Sequence, residues 1–292
     1  HDSGARRINV RVIDAHQVQR QARPLQSRQP NTIPEARMAI ELFRNANHAC
    51  LMFTDLVEED GQAVQSNQFL VIDHGTGAII DPGGNLAFNE LFLTMSRHFT
   101  PQKLSWLIAS HADPDIIASL NKWMVATHCK VMISRLWTRF VPHFTTGKDY
   151  TARILGIPDE GMNIALGDSR IKALPAHFMH SEGNFQFYDP VSKILFSGDM
   201  GASLVDHDQA AKPVSDFDDH VITMAGFHRR YMISNKICRF WVNMVRQLDV
   251  EMIVPQHGCR FEGKAMVNRF LDWIENLQCG VDIMTQENYR VP

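Results

Sequence analysis

Three short apolar runs in this chain each end on a metal-grade side chain. Trp106-Leu107-Ile108-Ala109-Ser110 leads into His111-Ala112-Asp113-Pro114-Asp115-Ile116, Ile194-Leu195-Phe196-Ser197-Gly198 into Asp199, and Met252-Ile253-Val254-Pro255-Gln256 into His257-Gly258. Runs of this kind are the strands of a helix-covered sheet, and sites form where such strands end. A fourth stretch, Ala176-His177-Phe178-Met179-His180-Ser181-Glu182-Gly183-Asn184, follows the β-prone segment Ile171 to Leu174 and adds two imidazoles. A single His at a strand end is usually a hydrogen-bonded surface residue. Four such places in one chain point instead to a shared metal site.

The text between these runs sets the fold class. Phe69 to Asp73 and Ala78 to Asp81, separated by His74-Gly75-Thr76-Gly77 and stopped by Pro82-Gly83-Gly84, spell a hairpin. Helical spacing follows over Leu86 to His98, and Ile116 to Val125 is amphipathic before the short strand Lys130 to Ile133. An aromatic-rich helix is expected around Arg135 to Phe140, and further strands at Phe185 to Tyr188 and Ile194 to Ser197, joined by a turn at Asp189-Pro190-Val191-Ser192. A long helix is expected over Arg229 to Leu248, a strand at Met252 to Val254 and a closing helix over Gly263 to Leu277. Asp216-Phe217-Asp218-Asp219 reads as a helix N-terminal cap. Strands and helices alternate in both halves, so the expected class is α/β with mixed sheets, arranged as a four-layer αββα sandwich. Residues 1–35, rich in Arg, Gln and Pro, are read as an extended or partly ordered N-terminal arm, and residues 36–292 as one domain.

Composition removes several function classes. Of 292 residues, 45% are hydrophobic, which is enough for a sizeable core, and the formal charge of −3 is spread without a basic face. Neither nucleic acid nor an anionic membrane is therefore an expected partner. No apolar run approaches the roughly 18 to 20 residues that span a bilayer, and the first residues lack the apolar core of a signal peptide. The 5 cysteines are far apart with no CxxC pair, which argues against a disulfide framework or a zinc knuckle and for a reducing cytoplasm.

The order and spacing of the ligand-type residues resemble the metallo-β-lactamase superfamily, and within it the di-iron branch formed by the flavodiiron core and the oxygen-binding di-iron proteins. The resemblance covers about residues 40 to 280. His111, Asp113 and Asp115 match the first, third and fifth positions of that branch's HxExDH motif, with Asp for Glu at 113. Leu195 to Asp199 is similar to its bridging-aspartate strand, His180 stands at the expected spacing before it, and Val254 to Gly258 looks like its last ligand motif. The HxDxDI and HFxHSEGNF strings most resemble the oxygen-binding di-iron proteins. The resemblance implies His111, Asp113 and His180 on one metal, Asp115 and His257 on the other, and Asp199 between them. It also implies that Asp81 supports the site from behind the ligands. Ile116 departs from the pattern, standing where a further His is usual, and is read as marking an open coordination position. His177 is read either as that missing ligand or, better, as a supporting hydrogen bond or packing residue.

Three imidazoles and three carboxylates suit two iron ions, with zinc or manganese as substitutes. No flavin is expected in this chain, because nothing after the closing helix resembles a flavodoxin domain. The expected function is binding of dioxygen or nitric oxide, as a sensor or carrier, with Tyr231 or His228 near the site mouth to donate a hydrogen bond. The alternatives are an O2 or NO reductase fed by a separate electron-donor protein, and a metal-dependent thioester or lactone hydrolase. A signalling partner and a homodimer through the Phe140, Phe144 and Tyr150 segment complete the expectations.

Overall fold

A computed structural model describes residues 39–54, 56–57 and 64–292. The expected N-terminal arm lies outside the described residues. Two sheets face each other. The first runs in chain order through β1 (Ile40–Arg44), β2 (His48–Phe53), β3 (Gln68–Asp73), β4 (Thr76–Ile80), β5 (Leu104–Ile108), β6 (Lys130–Ser134) and β7 (Ile154–Ile157). It is antiparallel up to β4 and parallel from β4 to β7. The second holds β8 (Met162–Leu166), β9 (Ser169–Pro175), β10 (Phe185–Asp189), β11 (Ile194–Phe196), β12 (Met252–Val254) and β13 (Phe261–Glu262), in the order β13-β12-β11-β10-β9-β8. Within it only β11 and β12 run parallel.

Alternation along β2 shows why four layers form. Every residue of His48–Phe53 is buried, with Cys50 and Met52 in the core between the sheets and Leu51 and Phe53 in the core outside. A strand buried on both faces needs helices over its outer side. Those are α1 (Phe88–Ser96), α2 (Pro114–Ile117) and α3 (Leu120–Ala126), whose Leu91, Met95, Ile116, Leu120 and Trp123 fill the outer core. On the far side, after the short α4 (His207–Ala210), the helices α5 (Phe217–Tyr231), α6 (Asn235–Val245) and α7 (Lys264–Glu275) cover the second sheet. The αββα sandwich is the observed architecture.

Three local expectations differ. The amphipathic stretch after HADPDI breaks between α2 and α3, where Ser119 N leaves the helical ladder for the Gly83 carbonyl, to which the Ser119 hydroxyl also donates. Residues 135–140 form turns, not a helix, because Leu136 N bonds the Ser134 hydroxyl and Trp137 N the Ser134 carbonyl, and a 3-10 turn, Val141–Phe144, follows with Pro142 in its first turn. The helix expected over Arg229 to Leu248 is two helices: Ile233 N leaves for the Phe178 carbonyl, and Ser234 then caps α6 through Ile237 N. Asp216 does cap α5, its carboxylate accepting from Asp218 N and Asp219 N.

Candidate metal centre

Parallel pairing brings the ligand-type residues together at one end of the sandwich. β4 and β5 run side by side, so Asp81 and the His111 loop leave the first sheet at the same edge; β11 and β12 deliver Asp199 and His257 the same way from the second. Phe185 N donates to the Ser110 carbonyl and ties the two edges together. His111 Nε2 lies 3.5 Å from Asp113 Oδ2 and 3.6 Å from Asp199 Oδ2, and His180 Nε2 lies 3.4 and 3.0 Å from the same two oxygens. These four residues bring a ligand atom each within 4.8 Å of one another. On the other side His257 Nε2 is 3.2 Å from Asp115 Oδ2 and 3.5 Å from Asp199 Oδ1. The Asp199 carboxylate thus turns one oxygen toward each group.

Buried atoms without partners show what the centre is shaped to hold. His111 Nε2 and Asp199 Oδ1 are both buried with no hydrogen bond. Leaving such groups unmatched costs about 1–3 kcal/mol each, so they mark a place for a cation. The charge pattern agrees. Burial disfavours the charged form of His111, yet the Asp113 and Asp199 carboxylates outweigh it and push its pKa up to about 10; His180 is pushed up to about 9 against the same opposition. Asp199, although its burial acts the other way, is held far below the usual carboxylate range by His111 and His180. Protons stand where metal cations fit. The donor set of imidazoles and carboxylates without a thiolate suits iron or manganese, with zinc a competitor.

Supporting contacts aim these ligands. Asp81 Oδ1 accepts from Ser110 N at 2.8 Å, and the Ser110 hydroxyl lies 3.0 Å from His111 Nδ1. Burial raises Asp81 to about 6, against the stabilising Ser110 amide bond. His257 Nδ1 lies 2.6 Å from the Gln65 carbonyl, which as an acceptor fixes a proton on Nδ1 and leaves Nε2 for the centre. The Asn67 amide donates to the carbonyls of Pro255 and Gly258, at 3.0 Å each. Gly258 has φ +79, and a Cβ there would stand 1.9 Å from Ser203 Oγ, so the turn after His257 requires glycine. The Asn184 side chain donates to the Met179 carbonyl and so holds the His180 loop. Ser110, Gln65, Asn67 and Asn184 escaped the sequence reading. Ser110 and Asn184 lie within the ligand-bearing stretches but carry no ligand-type signal of their own; Gln65 and Asn67 carry no local signal.

Access is from one side. His111 and Asp199 are 1% and 4% exposed, whereas the Asp113 and Asp115 side chains are 44% and 43% exposed. A cavity of about 540 Å3 opens over the centre, walled by Val64, Leu204, Phe227, Arg230 and Tyr231. Tyr231 lies edge-on to His180 with ring centroids 5.4 Å apart and stacks on Phe227.

Three expected site residues lie elsewhere. His228 is fully buried, its Nδ1 bonded to the Met224 carbonyl and its Nε2 accepting from Gly201 N, so it braces the turn after Asp199 and has no donor to offer at the mouth. His177 bonds the Asp159 carbonyl through Nε2 at 2.8 Å and packs on Phe185. Ile116 is fully buried in the apolar core under α1 and α3, outside the residues that wall the cavity.

Residues 64–258 match the family described as ODP family beta lactamase. The chain belongs to that family. Among solved structures, a peroxy diiron species of the chemotaxis sensor ODP is 40% identical with a TM-score of 0.76, over 87% of this chain and 100% of that one. The apo state of chemotaxis sensor ODP from T. denticola is 39% identical with a TM-score of 0.74, over 86% and 99%. Rubredoxin oxygen:oxidoreductase from Desulfovibrio gigas, 15% identical with a TM-score of 0.68 over 81% of this chain and 61% of that one, shares the fold. An uncharacterized protein of Methanocaldococcus jannaschii is 22% identical over 219 residues, 72% of this chain and 53% of that protein. The chain spans about half the length of the curated relatives it matches. Among the described residues no helix is long and apolar enough to cross a membrane.

Proposed function

We propose that this ODP-family chain holds two iron ions and binds dioxygen at them, acting as an oxygen sensor or carrier. The observation that carries the reading is Asp199, whose two oxygens face two separate sets of nitrogen and oxygen donors. His111, Asp113 and His180 would hold one ion, Asp115 and His257 the other, with Asp199 shared. Two ferrous ions held there would be able to supply two electrons to a diatomic ligand. The chain's part is to bind and to exclude. Its floor is closed by buried His111 and its mouth is narrowed by the Phe227 and Tyr231 rings, while His228, held by Met224 and Gly201, is not among the residues that wall the cavity. The 40% identity to a chemotaxis sensor, over 100% of that chain and 87% of this one, supports sensing over turnover.

Nitric oxide, a diatomic of similar size, fits the same mouth. Exposed Phe140 and Phe144 support a homodimer face, which a signalling partner could share. Five free, buried cysteines support a reducing cytoplasmic setting.

Anaerobic loading with iron followed by oxygen tests the reading. The expected result is about two irons per chain, a slowly decaying visible absorption band, and little steady oxygen consumption with a generic electron donor. Rapid consumption would favour a reductase, and zinc-dependent turnover of thioesters or lactones without colour would favour a hydrolase.

A further inference from the structure

The opposite end of the sandwich carries a second cluster of ligand-type side chains. β2 places His48 and Cys50 on one face, two residues apart, and the end of β10 brings Asp189 to them across the core. All three are buried, at 2%, 0% and 0% exposure. His48 Nε2 lies 2.8 Å from Asp189 Oδ2, Cys50 Sγ lies 3.5 Å from that oxygen, and Sγ and Nε2 are 3.8 Å apart. We propose that His48, Cys50 and Asp189 form a separate site for one zinc-class divalent ion, linking the two sheets.

Two independent observations point to a cation there. His48 Nδ1 lies 2.8 Å from Asp73 Oδ1, and Asp73 is itself fixed by the amides of Asp168 and Ser169. A carboxylate on the rear nitrogen of a histidine is the arrangement that orients it toward a metal. Second, four groups press on the single oxygen Asp189 Oδ2: His48 Nε2, the Cys50 thiol, and the amide and hydroxyl of Ser192. One carboxylate oxygen offers about two lone-pair sites. Replacing the His48 and Cys50 protons by one ion relieves the crowding.

Charge and geometry allow the exchange. With Nε2 and Sγ protonated, His48, Asp73, Asp189 and Cys50 together carry −1. A divalent ion that displaces both protons to solvent leaves −1 again, so no further buried charge is created. Zinc distances of about 2.0–2.3 Å in a tetrahedron imply ligand separations of roughly 3.3–3.5 Å. The His48–Asp189 pair must open by about half an ångström and the His48–Cys50 pair close by about 0.3 Å. The thiolate distinguishes this site from the carboxylate-rich centre at the other end.

Cobalt loading of chelator-treated full-length protein tests the proposal, since cobalt bound to thiolate absorbs in the near ultraviolet by charge transfer. The expected result is one such band per chain in wild type, retained in Asp199→Ala and absent in both Cys50→Ser and Cys50→Ala, with release of two protons per ion at the site. Far-ultraviolet circular dichroism establishes that each variant is folded, and His48→Gln provides an independent loss of the band. Absence of the band in wild type, or its persistence in the Cys50 variants, would overturn the proposal and leave a protonated His48 clamped between Asp73 and Asp189. Because Asp199→Ala disables the other centre, failure of the di-iron reading leaves this readout intact.

Discussion

Asp199 Oδ1 lies 3.5 Å from His257 Nε2, and the oxygen is buried without a hydrogen bond. With Oδ1 toward His257 and Oδ2 toward His111 and His180, the one carboxylate joins the two donor groups of the centre. Asp199→Ala is expected to abolish binding of both irons, since its removal leaves two close cations without the shared negative charge. Iron analysis after anaerobic loading checks this, and retention of two irons would remove Asp199 from the proposed role.

Asp81→Ala and Ser110→Ala act one step behind His111. With the Asp81–Ser110–His111 chain broken, affinity for the ion held by His111 is expected to fall about 10- to 100-fold, with the ion on His257 much less affected. Stepwise competition with a chelator resolves the two ions. Equal weakening of both would mean that Asp81 serves the whole loop end.

His228 makes stability depend on pH. In the unfolded chain it titrates near 6.5, while burial holds it at about 4 in the folded one. Between these values the unfolded state binds the extra proton, so stability falls as pH falls. The loss across that window is on the order of 3 kcal/mol. Urea unfolding of the metal-free protein at pH 7 and 4 measures it, and His228→Gln is expected to flatten this part of the acid limb.

Ile116→His places a polar ring in a fully buried apolar position. The expected effect is destabilisation by about 2–4 kcal/mol with an unchanged iron count. A variant as stable as wild type that binds its second ion more tightly would restore Ile116 to the open coordination position suggested by its place in the motif.

The six ligand-type residues were legible because each ends a short apolar strand or follows one, and strand ends are marked locally by the change from apolar to polar residues. The hairpin, the strands from β9 to β12 and the closing helix were legible for the same reason: their periodicity and turn residues are local. Direction was not. Histidines 228, 177 and 180 look alike in the sequence, yet His228 is held by Met224 and Gly201, His177 by Asp159, and His180 faces Asp113 and Asp199. Which nitrogen a ring offers depends on the acceptor behind it, and that acceptor can be as distant as Gln65 from His257. The break between α5 and α6 likewise depends on Phe178 supplying a carbonyl from another loop. Sequence determined which chemistry is present and that strand ends carry it. Only tertiary pairing, through contacts between segments far apart in the chain, decided which of those groups share a centre.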